Sequence, residues 1–163
     1  MNISPYWQKT HAARAWGSWP CEHLVRFILT QFRDVDDRSK IKILDVGCGA
    51  GASTMFLAQE GFSVLAVDGS ADALERLRQG LIDRSIPTSS VCAQQADLTR
   101  YETPIKIDCI VDICTLQHLA DSDAKAFIQR AKRWLKPNTL NNGWPATGWF
   151  FSMMAAPGSD FSD

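Results

Sequence analysis

Apolar residues in this chain follow two alternating rhythms. Short continuous runs occur at 41–46 (IKILDV), 63–67 (SVLAV), 90–93 (SVCA), 105–113 (IKIDCIVDI) and 147–154 (TGWFFSMM). Bounded by glycine, proline or polar residues, each reads as a strand. Between them, apolar positions recur every third or fourth residue, the period of a helix face. Cys21, Leu24, Val25, Ile28, Leu29 and Phe32 predict a helix that Pro20 opens. A second helix is predicted over 52–60, with Gly61 as its stop. A third, over 71–83, carries Leu74, Leu77 and Leu81 on one face behind Ser70 as N-cap. A fourth, over 122–135, aligns Ala124, Phe127, Ile128, Ala131, Trp134 and Leu135 and ends at Pro137. Residues 1–19 are irregular and aromatic-rich, and 34–40 form a polar linker.

Strands that alternate with helices imply a parallel sheet covered on both faces, an α/β doubly wound fold. Such a sheet binds ligands at the carboxyl ends of its strands. The first strand-to-helix junction carries the clearest chemistry. Gly47, Gly49 and Gly51 form G-x-G-x-G, where a backbone without Cβ atoms lets a ligand approach and a helix start offers unpaired N–H groups. A dinucleotide turn would place its last glycine at position 52, which is Ala52. Asp45, two residues before the first glycine, is the stronger clue. A carboxylate there repels a pyrophosphate and suits a ligand bearing an ammonium or sulfonium group.

The segment Asp45-Val-Gly-Cys-Gly-Ala-Gly51 resembles the first motif of class I S-adenosylmethionine-dependent methyltransferases. The resemblance continues in order. Val64-Leu-Ala-Val-Asp68-Gly-Ser70 is similar to the second strand, and Gln95-Ala-Asp97-Leu98 to the acidic motif after the third. Ile107-Asp-Cys-Ile-Val-Asp112 with Leu116-Gln-His118-Leu119 is similar to strand four and its turn. Trp134-Leu-Lys-Pro137 resembles the family's LKPGG segment, with Asn138 and Thr139 in place of the glycines. The run Trp16-Gly-Ser-Trp-Pro20 resembles, less specifically, the lid of small-molecule methyltransferases. The resemblance implies a Rossmann-like sheet of order 3-2-1-4-5. It also implies S-adenosylmethionine as cofactor, S-adenosylhomocysteine as product and a small-molecule acceptor. On this reading, 1–40 is a lid segment with its helix, and 41–163 is the cofactor-binding part of a single domain.

Roles follow residue by residue from the resemblance. Asp45 orients the cofactor's amino group, while Gly47, Cys48, Gly49 and Gly51 line the turn. Asp68 accepts from the ribose hydroxyls; as a plain turn residue it would be solvated instead. Ser70 belongs to the same junction. Asp97 accepts from the adenine amino group, with Leu98 and Gly69 against the ring faces; a helix-cap Asp is the alternative. Asp112 and Ile113 lie beside the methionine portion, and Asp112 is a candidate acceptor contact. His118 is either a general base or a packing histidine at the next helix. Tyr6, Trp7, Trp16 and Trp19 either close over the cofactor or pack between helix and sheet. His11 and Arg14 are candidates to meet a substrate carboxylate.

Composition narrows the alternatives. The 163-residue chain is 45% apolar and 21% charged with a net charge of −1, ordinary for one globular domain. No basic cluster points to nucleic acid. No apolar run is long enough to span a bilayer and no signal-peptide stretch opens the chain, so a cytoplasmic protein is expected. Cys21, Cys48, Cys92, Cys109 and Cys114, without C-x-x-C spacing, read as buried free thiols; neither a metal site nor a disulfide is expected. Class I methyltransferases usually add a sixth and an antiparallel seventh strand, where this chain continues only through 155–163, so a short or truncated form is expected. The apolar edge at Trp149, Phe150, Phe151, Met153 and Met154 would then be open, which predicts a homodimer. Two rival functions remain: a non-catalytic cofactor-binding module and an NAD-dependent oxidoreductase.

Overall fold

A computed structural model describes residues 19–137 and 148–155, together with residues 9, 10, 13 and 17. Tyr6, Trp7, His11, Arg14 and Trp16 lie outside the described residues, as do the insert at 138–146 and the tail at 156–163. Strands β1 (Lys42–Val46), β2 (Ser63–Asp68), β3 (Val91–Gln95), β4 (Cys109–Ile113) and β5 (Trp149–Met153) form one sheet of order β3-β2-β1-β4-β5. Every pairing is parallel. The helices are α1 (Glu22–Gln31), α2 (Ala52–Gln59), α3 (Ala71–Asp83) and α4 (Asp121–Trp134). The order reverses at β1, so the crevice between β1 and β4 is the switch point where this architecture takes ligands.

Successive side chains of a strand point to opposite faces, so a sheet covered on both sides needs apolar residues at every position. In β1, Ile43 joins the core of Leu24 and Ile28 from α1, Leu57 from α2 and Leu74 and Leu77 from α3. Leu44 and Val46 join the opposite core, with Ile110, Phe127 and Trp134. Asp45, on the α1–α3 side, is the polar exception at 2% exposure. Leu29 and Ile128, included in the helical stripes, sit at their margins and are exposed.

The boundaries depart from the sequence pattern in two places. β3 extends to Gln95, whose Nε2 donates to the Gly69 carbonyl at 2.9 Å and ties two strand ends together. β4 begins at Cys109, well after position 105. Ile107 instead makes a single bridge with Leu135. The Asp108 carboxylate accepts from Lys42 N–H and Lys136 Nζ, each at 2.8 Å, so this stretch clasps the amino edge of the sheet and does not extend the ladder. Of the thiols, Cys48 and Cys109 are buried and Cys21 and Cys114 half-buried, but Cys92 is exposed because β3 is an edge strand. One face of β5 is covered: Phe27 of α1 stacks at 5.7 Å from Trp149 and 4.9 Å from Phe151.

Candidate cofactor site

The chain leaves β1 at Val46 and turns immediately. Gly47 N–H and Cys48 N–H both donate to the Val67 carbonyl of β2, at 2.7 and 3.1 Å, which folds the turn over the sheet edge. Gly47, Gly49 and Gly51 all have positive φ (65°, 55° and 90°), a region that side chains disfavour. Space restricts two of them further. A Cβ on Gly47 would lie 2.2 Å from Thr115 Oγ1 and Cγ2, and one on Gly51 would lie 2.3 Å from Leu77 Cδ1. Gly51 then serves as N-cap of α2 without a side-chain bond, so no capping side chain takes up the first amides of that helix.

Three carboxylates gather around this turn. Asp68 at the end of β2 accepts from Gly49 N–H through Oδ2 and from Ser70 N–H through Oδ1, both at 2.8 Å. It therefore fixes the glycine turn as well as its own. Asp45 accepts from Thr54 Oγ1 of α2 at 2.6 Å. Burial pushes the Asp45 carboxyl up to about 7; the Thr54 hydrogen bond opposes this, and the charges of Asp68 and Asp112 add to it. Asp112, next to last in β4, is fully buried. Its Oδ1 accepts from Thr115 N–H (2.9 Å) and Leu116 N–H (3.1 Å), and its Oδ2 from Ser152 Oγ (2.7 Å). Burial raises this carboxyl too, against those three hydrogen bonds and the nearby His118. Burial likewise holds the Cys48 thiol well above its ordinary value, so Cys48 contributes backbone and bulk but no thiolate.

The remaining candidates lie at the same edge. Ser70 caps α3, accepting from Ala73 N–H at 3.2 Å, and its hydroxyl is buried in that role. Asp97 accepts from Thr99 N–H (2.9 Å) and Thr99 Oγ1 (2.7 Å) in a turn that leaves it half-buried. Leu98 is buried, and its carbonyl is held by Arg130 at 2.8 Å. His118 is exposed on the short turn Leu116–His118, with its ring nitrogen 3.4 Å from Gln117 Nε2. Trp19 is 79% exposed with the Arg84 guanidinium 5.4 Å from its ring centre, so it is not packed between helix and sheet. No group of three His, Cys, Asp or Glu residues suited to a metal occurs among the described residues. No helix among them is long and apolar enough to cross a membrane.

Three polar residues of the site escaped the sequence reading. Thr54 left a trace, a hydroxyl in a helix buried on most sides. Thr115 and Ser152 left none, since their partners are distant in the chain. A separate groove of about 470 Å³ runs between α4 and β5, lined by Leu116, Gln117, Leu119, Ile128, Phe150 and Met154 among others. It contains none of the expected cofactor residues and touches the site through the turn after β4 and through Ser152 of β5.

Residues 43–138 match the family described as Methyltransferase domain. Curated relatives include the ubiquinone biosynthesis O-methyltransferase of Rickettsia prowazekii (strain Madrid E), 27% identical over 128 residues, covering 73% of this chain and 44% of the relative. Another is the carboxy-S-adenosyl-L-methionine synthase of Shewanella loihica (strain ATCC BAA-1088 / PV-4), 29% identical over 69% of this chain and 47% of the relative. The chain thus spans less than half the length of these relatives. Among solved structures, magnesium protoporphyrin IX methyltransferase from Synechocystis PCC 6803 with bound SAH superposes with a TM-score of 0.63 at 20% identity, over 83% of this chain and 71% of that one. That likeness shows the fold.

Proposed function

The chain belongs to the methyltransferase-domain family, of the class I, S-adenosylmethionine-dependent kind, and from that premise we propose that it binds this cofactor at the β1–β4 crevice and methylates a small molecule. The observation that carries the reading is electrostatic. Asp68 holds the glycine turn, its charge and that of Asp112 act on the buried Asp45, and among the described residues no lysine or arginine forms a salt bridge with any of the three. An ammonium and a sulfonium supply the missing positive charge, whereas a pyrophosphate would add to the repulsion. The donor set fits the methyl donor and disfavours NAD.

Asp45 would hold the amino group. Each Asp68 oxygen spends one acceptor position on a backbone N–H, which leaves another for a ribose hydroxyl. Asp97, Leu98, Gly69 and Ser70 would border the adenine, and the Ile113 carbonyl the methionine portion. When bound, the cofactor supplies a methyl group on a positively charged sulfur, with neutral S-adenosylhomocysteine as leaving group. The protein's share is to align the acceptor in line with that methyl and to keep water out. His118 would take the acceptor's proton as the new bond forms.

Calorimetry with S-adenosylhomocysteine and with NAD tests the reading. Saturable binding of the first alone is expected, and binding of NAD alone overturns it. Binding without turnover on any small-molecule acceptor would favour the non-catalytic alternative. The proposal extends to assembly: the outer backbone edge of β5 and the exposed Met154 beside it would pair with a second copy. Light scattering showing a monomer at micromolar concentration refutes that extension. A cytoplasmic setting accords with the five free thiols.

A further inference from the structure

We infer that Ser152 is a positioning residue for the cofactor turn, acting from β5 through Asp112 and Thr115. The inference rests on the proposed cofactor reading and adds a residue to it. Asp112 is fully buried and receives three donors, Thr115 N–H, Leu116 N–H and Ser152 Oγ. These take up most of a carboxylate's acceptor capacity. Asp112 is therefore engaged chiefly in holding chain, a role that stands beside the sequence-based expectation that it touches an acceptor.

The chain it holds is strained. Cys114 has φ +59°, unusual for a residue with a side chain, and its N–H donates to the Met153 carbonyl of β5 at 2.7 Å. Such a conformation persists only where its surroundings over-determine it. Here Asp112 grips the chain just beyond Cys114, and β5 grips Cys114 itself. The next residue, Thr115, meets the cofactor turn. Its Oγ1 donates to the Gly47 carbonyl at 3.3 Å, in a contact too close to admit any side chain on Gly47. An unbroken path thus runs from Ser152 to Asp112, to Thr115, to Gly47. Without the Ser152 donor, a buried carboxylate loses its tether to β5, and the wedge behind Gly47 loosens.

The groups that face Asp112 are His118 on the same turn, Asp45 on β1 and the Cys114 thiol. The Ser152 hydrogen bond favours the charged form of Asp112. Removing it moves protonation of Asp112 to higher pH, so on the acid side of the Asp45 titration the variant should lose affinity earlier than wild type. A simple packing defect would weaken binding equally at every pH.

The test is calorimetric affinity for S-adenosylhomocysteine, measured from about pH 5.5 to about pH 8.5 on wild type, Ser152→Ala and Ser152→Thr. Ser152→Ala should bind about tenfold more weakly at neutral pH, the size of coupling expected through a packed network. Its acid limb should lie at higher pH, while Ser152→Thr, which keeps the hydroxyl, should restore both quantities. If Ser152→Ala does not fold by circular dichroism, Ser152→Cys, a weaker donor of similar size, should show both effects to a smaller degree. Wild-type affinity and an unshifted limb in the variant overturn the inference, as does a uniform loss across pH. Failure of wild type to bind S-adenosylhomocysteine at all overturns instead the reading on which the inference rests.

Discussion

Replacing Asp45 by asparagine should make the protein more stable at alkaline pH and poorer at holding its cofactor. Asp45 is 2% exposed, and its carboxyl is raised from 3.8 to about 7. Raising a carboxyl by one pH unit corresponds to about 1.4 kcal/mol, so keeping this group charged in the folded protein costs about 4 kcal/mol relative to the unfolded chain. The sign follows from proton occupancy. Between pH 3.8 and about 7 the folded state holds the Asp45 proton and the unfolded state has released it. Stability therefore falls as pH rises through that window, and the whole penalty is present above it. In Asp45→Asn the side chain would be neutral throughout, nearly the same shape, and still able to accept from Thr54 Oγ1.

Urea denaturation of both proteins at several pH values measures the difference. Near pH 4 the two should agree to within about 1 kcal/mol, and near pH 8 the variant should be more stable by up to about 4 kcal/mol. A variant that tracks wild type with a constant offset refutes the reasoning, because it would mean that Asp45 ionises at no cost in the fold. Affinity should move the other way. A hydrogen bond to a charged group contributes about 1.5–3 kcal/mol, so at pH 8 the variant should bind S-adenosylmethionine about ten- to a hundredfold more weakly. Opposed changes of this kind would mark a group kept for binding at the expense of stability.

Three further outcomes follow from contacts of the site and its supports. Gly47→Ala should cost about 2–4 kcal/mol in urea denaturation, from its φ of +65° and a Cβ placed 2.2 Å from the Thr115 side chain. Gly80→Ala, in mid-helix against the flexible Met55 Sδ at 2.9 Å, should be neutral or stabilising by up to about 1 kcal/mol, and the reverse order of the two variants contradicts the account. If His118 takes the acceptor's proton, His118→Ala should slow turnover about a hundredfold or more while S-adenosylhomocysteine affinity stays unchanged; turnover at the wild-type rate removes that role.

The sequence exposes those parts of the fold and site whose causes are local. Helix α3 falls at 71–83 as expected because its cap, Ser70, and its buried stripe, Leu74, Leu77 and Leu81, lie within one stretch of chain. The glycine turn is legible for the same reason: strand, positive-φ residues and helix start follow one another without a gap. What escaped is tertiary. β4 starts late because Asp108 is claimed by Lys42, 66 residues away, and by Lys136, 28 residues away. No window around the run 105–113 contains that fact. Thr115 matters through Gly47, 68 residues distant, and Ser152 through Asp112, 40 residues distant.

This division has a physical origin. A ligand gripped by backbone amides and strand-end carboxylates requires particular residues at fixed offsets from a turn, and fixed offsets can be read along a chain. An acceptor is met by whichever side chains the completed fold carries past the methyl group, so its contacts come from separate elements with no common spacing. On the proposed reading the turn 114–118 belongs to both regimes. It presses on the glycine turn through Thr115 and carries the exposed His118, while Gln117 Oε1 accepts from Ala155 N–H at 2.7 Å and ties the turn to the chain just after β5. On the proposed reading, then, a change at His118 should leave cofactor affinity nearly untouched, whereas a change at Asp112 or Ser152 should disturb donor and acceptor together.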